Sequence, residues 1–129
     1  MKLIGRKIYK GIAEAQALVT NNGISFYGGV DPDTGEVVEV GHELEGQTIS
    51  GKILVFPTGK GSTVGSYTMY RMMKNHTAPA AIVNREIDTI IAVGCIISEI
   101  PCVDKIDINQ IKTGQRLMVN GTEGTVEVK

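Results

Sequence analysis

A chain of 129 residues and 13.8 kDa has room for one hydrophobic core and not for two. Its 42% hydrophobic and 21% charged residues exclude a disordered tail. Thirteen Lys plus Arg against fourteen Asp plus Glu leave a net charge of -1, and aromatics are 5% with no Trp, so neither a field for nucleic acid or anionic lipid nor a base-stacking platform is present.

The chain opens Met1-Lys2-Leu3-Ile4-Gly5-Arg6-Lys7, with charge but no apolar run of signal-peptide length. No stretch approaches the roughly 18 apolar residues of a membrane span, so no membrane partner is expected and the expected compartment is the cytoplasm. Ala17-Leu18-Val19-Thr20 predicts a strand, closed by the turn signal Asn21-Asn22-Gly23. Ile24 to Val30 predicts a second strand, ending in the loop Asp31-Pro32-Asp33-Thr34-Gly35. Val37, Val38 and Val40 predict a short third strand, and Gly46 to Ile49 a connector. Lys52-Ile53-Leu54-Val55-Phe56-Pro57 is an apolar run stopped by proline, the pattern of a buried strand.

A glycine-rich turn follows, Thr58-Gly59-Lys60-Gly61-Ser62, and then a helix from Thr63 to Asn75 with Ser62 as its N-cap. Arg71 and Lys74 in its last turn suit the helix dipole. Thr77-Ala78-Pro79 ends it, and Ala80-Ala81-Ile82-Val83 predicts the next strand. The run Ile90 to Ile97 reads as a further, fully buried strand. Arg116-Leu117-Met118-Val119 and Thr125-Val126-Glu127-Val128 flank Asn120-Gly121-Thr122-Glu123-Gly124 as a closing hairpin. The order predicts a β-rich α/β domain spanning residues 1–129.

Pro57-Thr58-Gly59-Lys60-Gly61-Ser62-Thr63 is the segment best suited to chemistry, because it lies between a buried strand and a helix. Glycines there allow close approach, and amides at a helix start favour an anion. A hydroxyl at Ser62 caps the helix, binds an oxyanion, or loses its proton more easily than in water; the local pattern leaves these open. The Walker register fails, since Lys60 precedes Gly61, and the dinucleotide fingerprint fails because Gly65 comes one residue late. His42 and His76 read as surface histidines, and Cys95 as a small core residue. Cys102 follows Pro101 without an activating neighbour. Asp31, Asp33 and Glu36 miss the calcium-loop spacing. Two cysteines are too few to hold an iron–sulfur cluster or a zinc ion, so no metal is assigned to this chain alone.

Several segments occur in an order that resembles the swivelling domain of the aconitase X family, in its separate-chain form. They are Tyr27-Gly28-Gly29-Val30-Asp31-Pro32, Thr34-Gly35, Gly41-His42, Leu54-Val55-Phe56-Pro57, Gly59-Lys60-Gly61-Ser62-Thr63, Ala78-Pro79-Ala80-Ala81-Ile82-Val83 and Ala92-Val93-Gly94. The resemblance runs from about Gly5 to the end and implies a swivelling β/β/α domain with a barrel-like sheet and few helices. It also implies a hydro-lyase subunit that works in a heterodimer, with a large partner carrying the iron–sulfur cluster. Ser62 matches the family's proton acceptor. The implied reaction is loss of water from (R)-5-phosphomevalonate, a small phosphorylated hydroxy acid, to trans-anhydromevalonate 5-phosphate, in a modified mevalonate route to isoprenoids.

In the wider aconitase pattern an arginine closely follows this serine; here Thr63, Val64 and Gly65 follow. Carboxylate or phosphate recognition then falls to the backbone of Gly61 and Thr63, to Lys60, or to the partner. The alternatives are a related dehydratase acting on cis-3-hydroxy-L-proline, and a non-catalytic carrier or regulatory module. A carrier would need His42 or His76.

Overall fold

The structure is a computed structural model that describes residues Met1 to Lys129. Alternation along its central strands sets the architecture. Strands β3 (Ile12–Val19), β4 (Ile53–Phe56), β5 (Ala81–Asn84) and β6 (Cys102–Asp104) run parallel as neighbours. Every residue of β4, β5 and β6 is buried, because both faces of this part of the sheet are covered. Ile53, Val55, Ala81, Val83 and Val103 point into one apolar cluster. Leu54, Phe56, Ile82 and Cys102 point into the other.

Parallel neighbours need crossovers. Residues 20–52 make the first, helix α1 (Gly65–Lys74) the second and helix α2 (Thr89–Ser98) the third. The predicted closing hairpin is present as β7 (Arg116–Asn120) and β8 (Thr125–Val128), and β7 pairs antiparallel with β3.

Strands β1 (Lys2–Ile4) and β2 (Arg6–Tyr9) occupy opposite ends of the order β1-β8-β7-β3-β4-β5-β6-β2. Only Gly5 separates them in the chain, so one length of backbone joins both edges and closes the sheet into a barrel. The Gly5 amide donates to the Gly124 carbonyl at 2.8 Å, and a side chain at Gly5 would run into the Asp104 carbonyl. Arg6 fastens the seam, donating from its guanidinium to both oxygens of buried Asp104 at 2.9 and 2.8 Å. The cluster around Ile53 and Val55 fills the barrel, with Leu117, Val119 and Val126 from the hairpin and Ile106, Ile108 and Ile111 from the loop before it. The cluster around Leu54 and Phe56 lies outside the barrel wall, beneath both helices and the 20–52 excursion.

Three sequence expectations fail. Ile24–Val30 and Val37–Val40 form turns with isolated bridges rather than strands. The Val30 amide turns back to Phe26, and Val30 is bridged to Val37 by the flanking bonds from the Asp31 amide to the Glu36 carbonyl and from the Val38 amide to the Gly29 carbonyl, so the apolar side chains reach the core from a folded loop. Ile90–Ile97 lies inside α2. The Asp88 carboxylate caps its start by accepting from the Ile91 amide at 3.3 Å, and Glu99 ends it at φ 55. That run is not fully buried either: Val93 and Ile96 are 41% and 50% exposed. Neither helix is long and apolar enough to cross a membrane.

Candidate functional site

The C-terminal ends of parallel strands, where chains turn into helices, are where such sheets place ligands. Here β4 ends at Phe56, and the turn to α1 carries Ser62. The root of this turn is fixed from β5. Asn84 donates through Nδ2 to the Phe56 carbonyl at 3.0 Å, and the Arg85 and Glu86 amides both donate to the Pro57 carbonyl at 3.1 Å. Farther along, Ile24 bridges to Gly59, its amide donating to the Thr58 carbonyl at 3.3 Å and its carbonyl accepting from the Lys60 amide at 2.9 Å. The long excursion therefore backs the serine turn, although its own strands are absent.

Gly61 has φ +89, and a Cβ there would collide with the Ser25 hydroxyl. Only glycine takes this conformation without strain, and it turns Ser62 outward into solvent. Ser62 is not the N-cap of α1, contrary to the sequence expectation. The helix starts at Gly65 after Val64, which is already in the right-handed region and gives no side-chain cap. The Ser62 carbonyl accepts from the Gly65 amide at 3.0 Å and the Thr63 carbonyl from the Ser66 amide at 3.4 Å, so tighter turns lead into the helix. Ser62 Oγ accepts from the Val64 amide at 3.1 Å. A donor on that oxygen favours its deprotonated form. The amides of Gly61, Ser62 and Thr63 donate to no group of the chain. Ser62 is thus an exposed hydroxyl among free amides, an arrangement suited to an anionic ligand.

Lys60 lies on the same turn, but its ammonium is held by Glu39 at 2.8 Å. Lys60 is exposed, as are Ser62 and Thr63. The structure thus brings all four candidate positions together and adds Ser25, Glu39 and Asn84. No local pattern points to these three, because their nearness depends on the 20–52 excursion and on β5.

Other residues fall away from the site. His42 is buried, not on the surface. Its Nδ1 accepts from the Leu44 amide and its Nε2–H donates to the Gly23 carbonyl, both at 3.0 Å. With both nitrogens spent on loop carbonyl and amide, it is a structural tie. His76 is exposed beyond the far end of α1. Cys95 and Cys102 are free thiols in the core; the bond from Cys95, then burial, push the Cys102 thiol well above its ordinary value. No group of three His, Cys, Asp or Glu side chains is placed to hold a metal ion.

Residues 2–128 match the model of the aconitase X swivel domain. The chain is 52% identical to a phosphomevalonate dehydratase small subunit of Thermococcus kodakarensis, over 99% of this chain and 96% of that one. It is 53% identical to the protein of that name from Methanosarcina mazei, over 99% of this chain and 91% of that one. Its structure matches a crystal structure of Thermococcus kodakaraensis aconitase X in its holo-form with a TM-score of 0.98 at 51% identity, covering 100% of this chain and 98% of that one. A solution structure of a UPF0107 protein matches with a TM-score of 0.91 at 49% identity, covering 100% and 99%. The chain belongs to the aconitase X swivel-domain family.

Proposed function

We propose that this chain is the small subunit of a hydro-lyase that dehydrates (R)-5-phosphomevalonate to trans-anhydromevalonate 5-phosphate, and that Ser62 accepts the proton. The observation that carries the activity is identity above 50% over nearly the whole length of relatives bearing that name. The wall around Ser62 supports its role. In this reaction a proton leaves the carbon beside the carboxylate, a hydroxyl leaves the next carbon, and a double bond and water result. The proton needs a base within hydrogen-bond reach. Ser62 Oγ is open to solvent, and the Val64 amide on it favours the alkoxide. The free amides of Gly61 and Thr63 suit the substrate's carboxylate or phosphate, while Lys60 supplies positive charge partly offset by Glu39.

The family's iron–sulfur cluster does not fit this chain. Its only two cysteines are buried side by side in the core, away from the serine turn. The cluster belongs, in this reading, to the large subunit. A carrier role is disfavoured because His42 is buried with both nitrogens engaged and His76 lies beyond the far end of α1, away from the serine turn.

The test is turnover of the assembled enzyme with Ser62→Ala and Ser62→Gly. Since Ser62 does not cap α1, both variants lose one solvent-exposed hydrogen bond, about 1 kcal/mol, and remain folded. Turnover on (R)-5-phosphomevalonate is expected to drop roughly 100-fold or more in both. Either variant with near-parent turnover ends the assignment of Ser62. A parent complex that dehydrates cis-3-hydroxy-L-proline and not phosphomevalonate replaces the substrate.

A further inference from the structure

Helix α2 has the sequence Thr-Ile-Ile-Ala-Val-Gly-Cys-Ile-Ile-Ser, without one charged residue. A helix apolar on all sides belongs inside a structure. Ile91, Gly94 and Cys95 are buried, yet Val93 and Ile96 on the opposite side face solvent. Beside them Tyr67 of α1 is 71% exposed and Val64, just before the helix, 44%. Between the helices runs a groove of about 300 Å³, walled by Tyr67, Ile90, Val93 and Ile97 and reaching Thr63. Its one buried hydroxyl, on Ser66, is already spent on the Ile90 carbonyl at 2.7 Å. The charges of α1, Arg71 and Lys74, lie in its last turn, away from Thr63. A second groove of about 350 Å³, near Tyr27, differs in carrying Asp31 and Arg71 on its walls.

We infer that the α1/α2 groove is the seat of the large subunit, filled by an uncharged, apolar segment of that partner. The inference rests on the small-subunit reading above. Three observations select this occupant. First, a face depleted of charge and centred on an exposed tyrosine has the composition of an interface core. Second, relatives named as small subunits are matched over 91% to 99% of their length, so the surface meeting a larger subunit falls within the matched fold. Third, Thr63 lines the groove and adjoins Ser62, so a partner seated there also covers the serine turn. A two-fold contact between copies of this chain through the same face would set one serine turn against another and shut out substrate.

The experiment measures assembly with the large subunit, tagged and co-expressed, for the parent and for Tyr67→Asp, Val93→Asp and Ile12→Asp. Ile12 is 62% exposed on β3 and serves as the surface control. Dissociation on dilution is followed by sedimentation, and thermal melts of each chain report folding. Tyr67→Asp and Val93→Asp are expected to weaken assembly roughly 30-fold or more with melts near the parent's, while Ile12→Asp stays within about 3-fold. Parent-like assembly of both groove variants overturns the inference. So does a dimer of the isolated parent chain that Val93→Asp abolishes while assembly with the large subunit persists. If both variants lose a parent complex that dehydrates nothing, the seat stands and the activity proposed above fails. If the parent chain does not bind the large subunit, both fall.

Discussion

Gly61→Ala tests whether the backbone of the serine turn serves the chemistry. At φ +89 an L-residue is strained by about 1–2 kcal/mol. The new Cβ also meets the Ser25 hydroxyl, which donates to the Tyr27 carbonyl at 3.0 Å. Swinging that hydroxyl away forfeits its bond, about 1 kcal/mol more. The sum is about 2–3 kcal/mol, or a melting temperature lower by roughly 6–12 °C for a domain of this size. If the turn relaxes instead, Ser62 shifts by about 1 Å, and turnover of the assembled enzyme drops on the order of 100-fold. Thermal melts and steady-state assays separate the two responses, and a double-mutant cycle with Ser25→Ala divides the cost. In that background the Gly61→Ala penalty should shrink by about 1 kcal/mol and leave the φ strain. Parent-like melting together with parent-like turnover of Gly61→Ala would refute the reasoning. Complete loss of the penalty in the Ser25→Ala background would show that backbone strain contributes nothing.

Acid and thiol chemistry supply two further expectations. The Thr20 hydroxyl at 2.5 Å and then the Asn21 amide at 3.0 Å hold the Glu43 carboxyl below its ordinary value of 4.5. A depressed native value stabilises the fold above the unfolded-state value and is lost as pH falls through the native one. Urea stability should therefore decline below about pH 4.5, and Glu43→Gln should flatten that acid limb. Cys102 is fully buried, and its thiol is raised by its contact with Cys95 and by burial; neither thiol should react with a maleimide at pH 8 in the native chain, and both should react in denaturant.

The sequence was legible where one segment carried its own signal. Ile53–Phe56 stops at Pro57, Ala81–Asn84 follows Pro79, and the last hairpin turns at Asn120-Gly121; each stands where the pattern puts it. It was illegible where a partner lies far along the chain. β1 pairs with β8 and β2 with β6, about a hundred residues away, and a short charged segment such as Arg6–Tyr9 becomes a strand by pairing with Cys102–Asp104, where Asp104 takes the Arg6 guanidinium. The 20–52 excursion failed for a different reason. Its buried Ile24, Phe26, Val30 and Val37 match a strand's apolar content, but turns with Gly28 at φ +82 and Gly35 at φ +78 fold it onto itself. Helix α2 was missed because a run apolar on every side has no period to read. The property that hid its secondary structure is the same one that leaves Val93 and Ile96 without cover.

At the site, the position of Ser62 was readable but its competing role was not. A serine before a helix invites the capping assignment, and an N-cap oxygen would be committed to the helix that follows. Thr63 and Val64 decide otherwise. They form a turn closed by the Ser62 carbonyl and the Gly65 amide, so α1 begins beyond reach of the serine as a cap. The hydroxyl is left with the Val64 amide as its only bond within the chain. The helix then has no stake in the oxygen, and substitution of Ser62 changes little in the fold besides one exposed bond. Ser25, Glu39 and Asn84 carry the opposite burden: they touch the turn from three directions and hold it in place without offering a proton acceptor of Ser62's exposure at its tip. The work of keeping the turn in shape is thus placed on residues other than Ser62. For that reason Gly61→Ala and Ser62→Ala should part in their effects: the first lowers stability, or turnover where the turn relaxes, and the second lowers turnover almost alone.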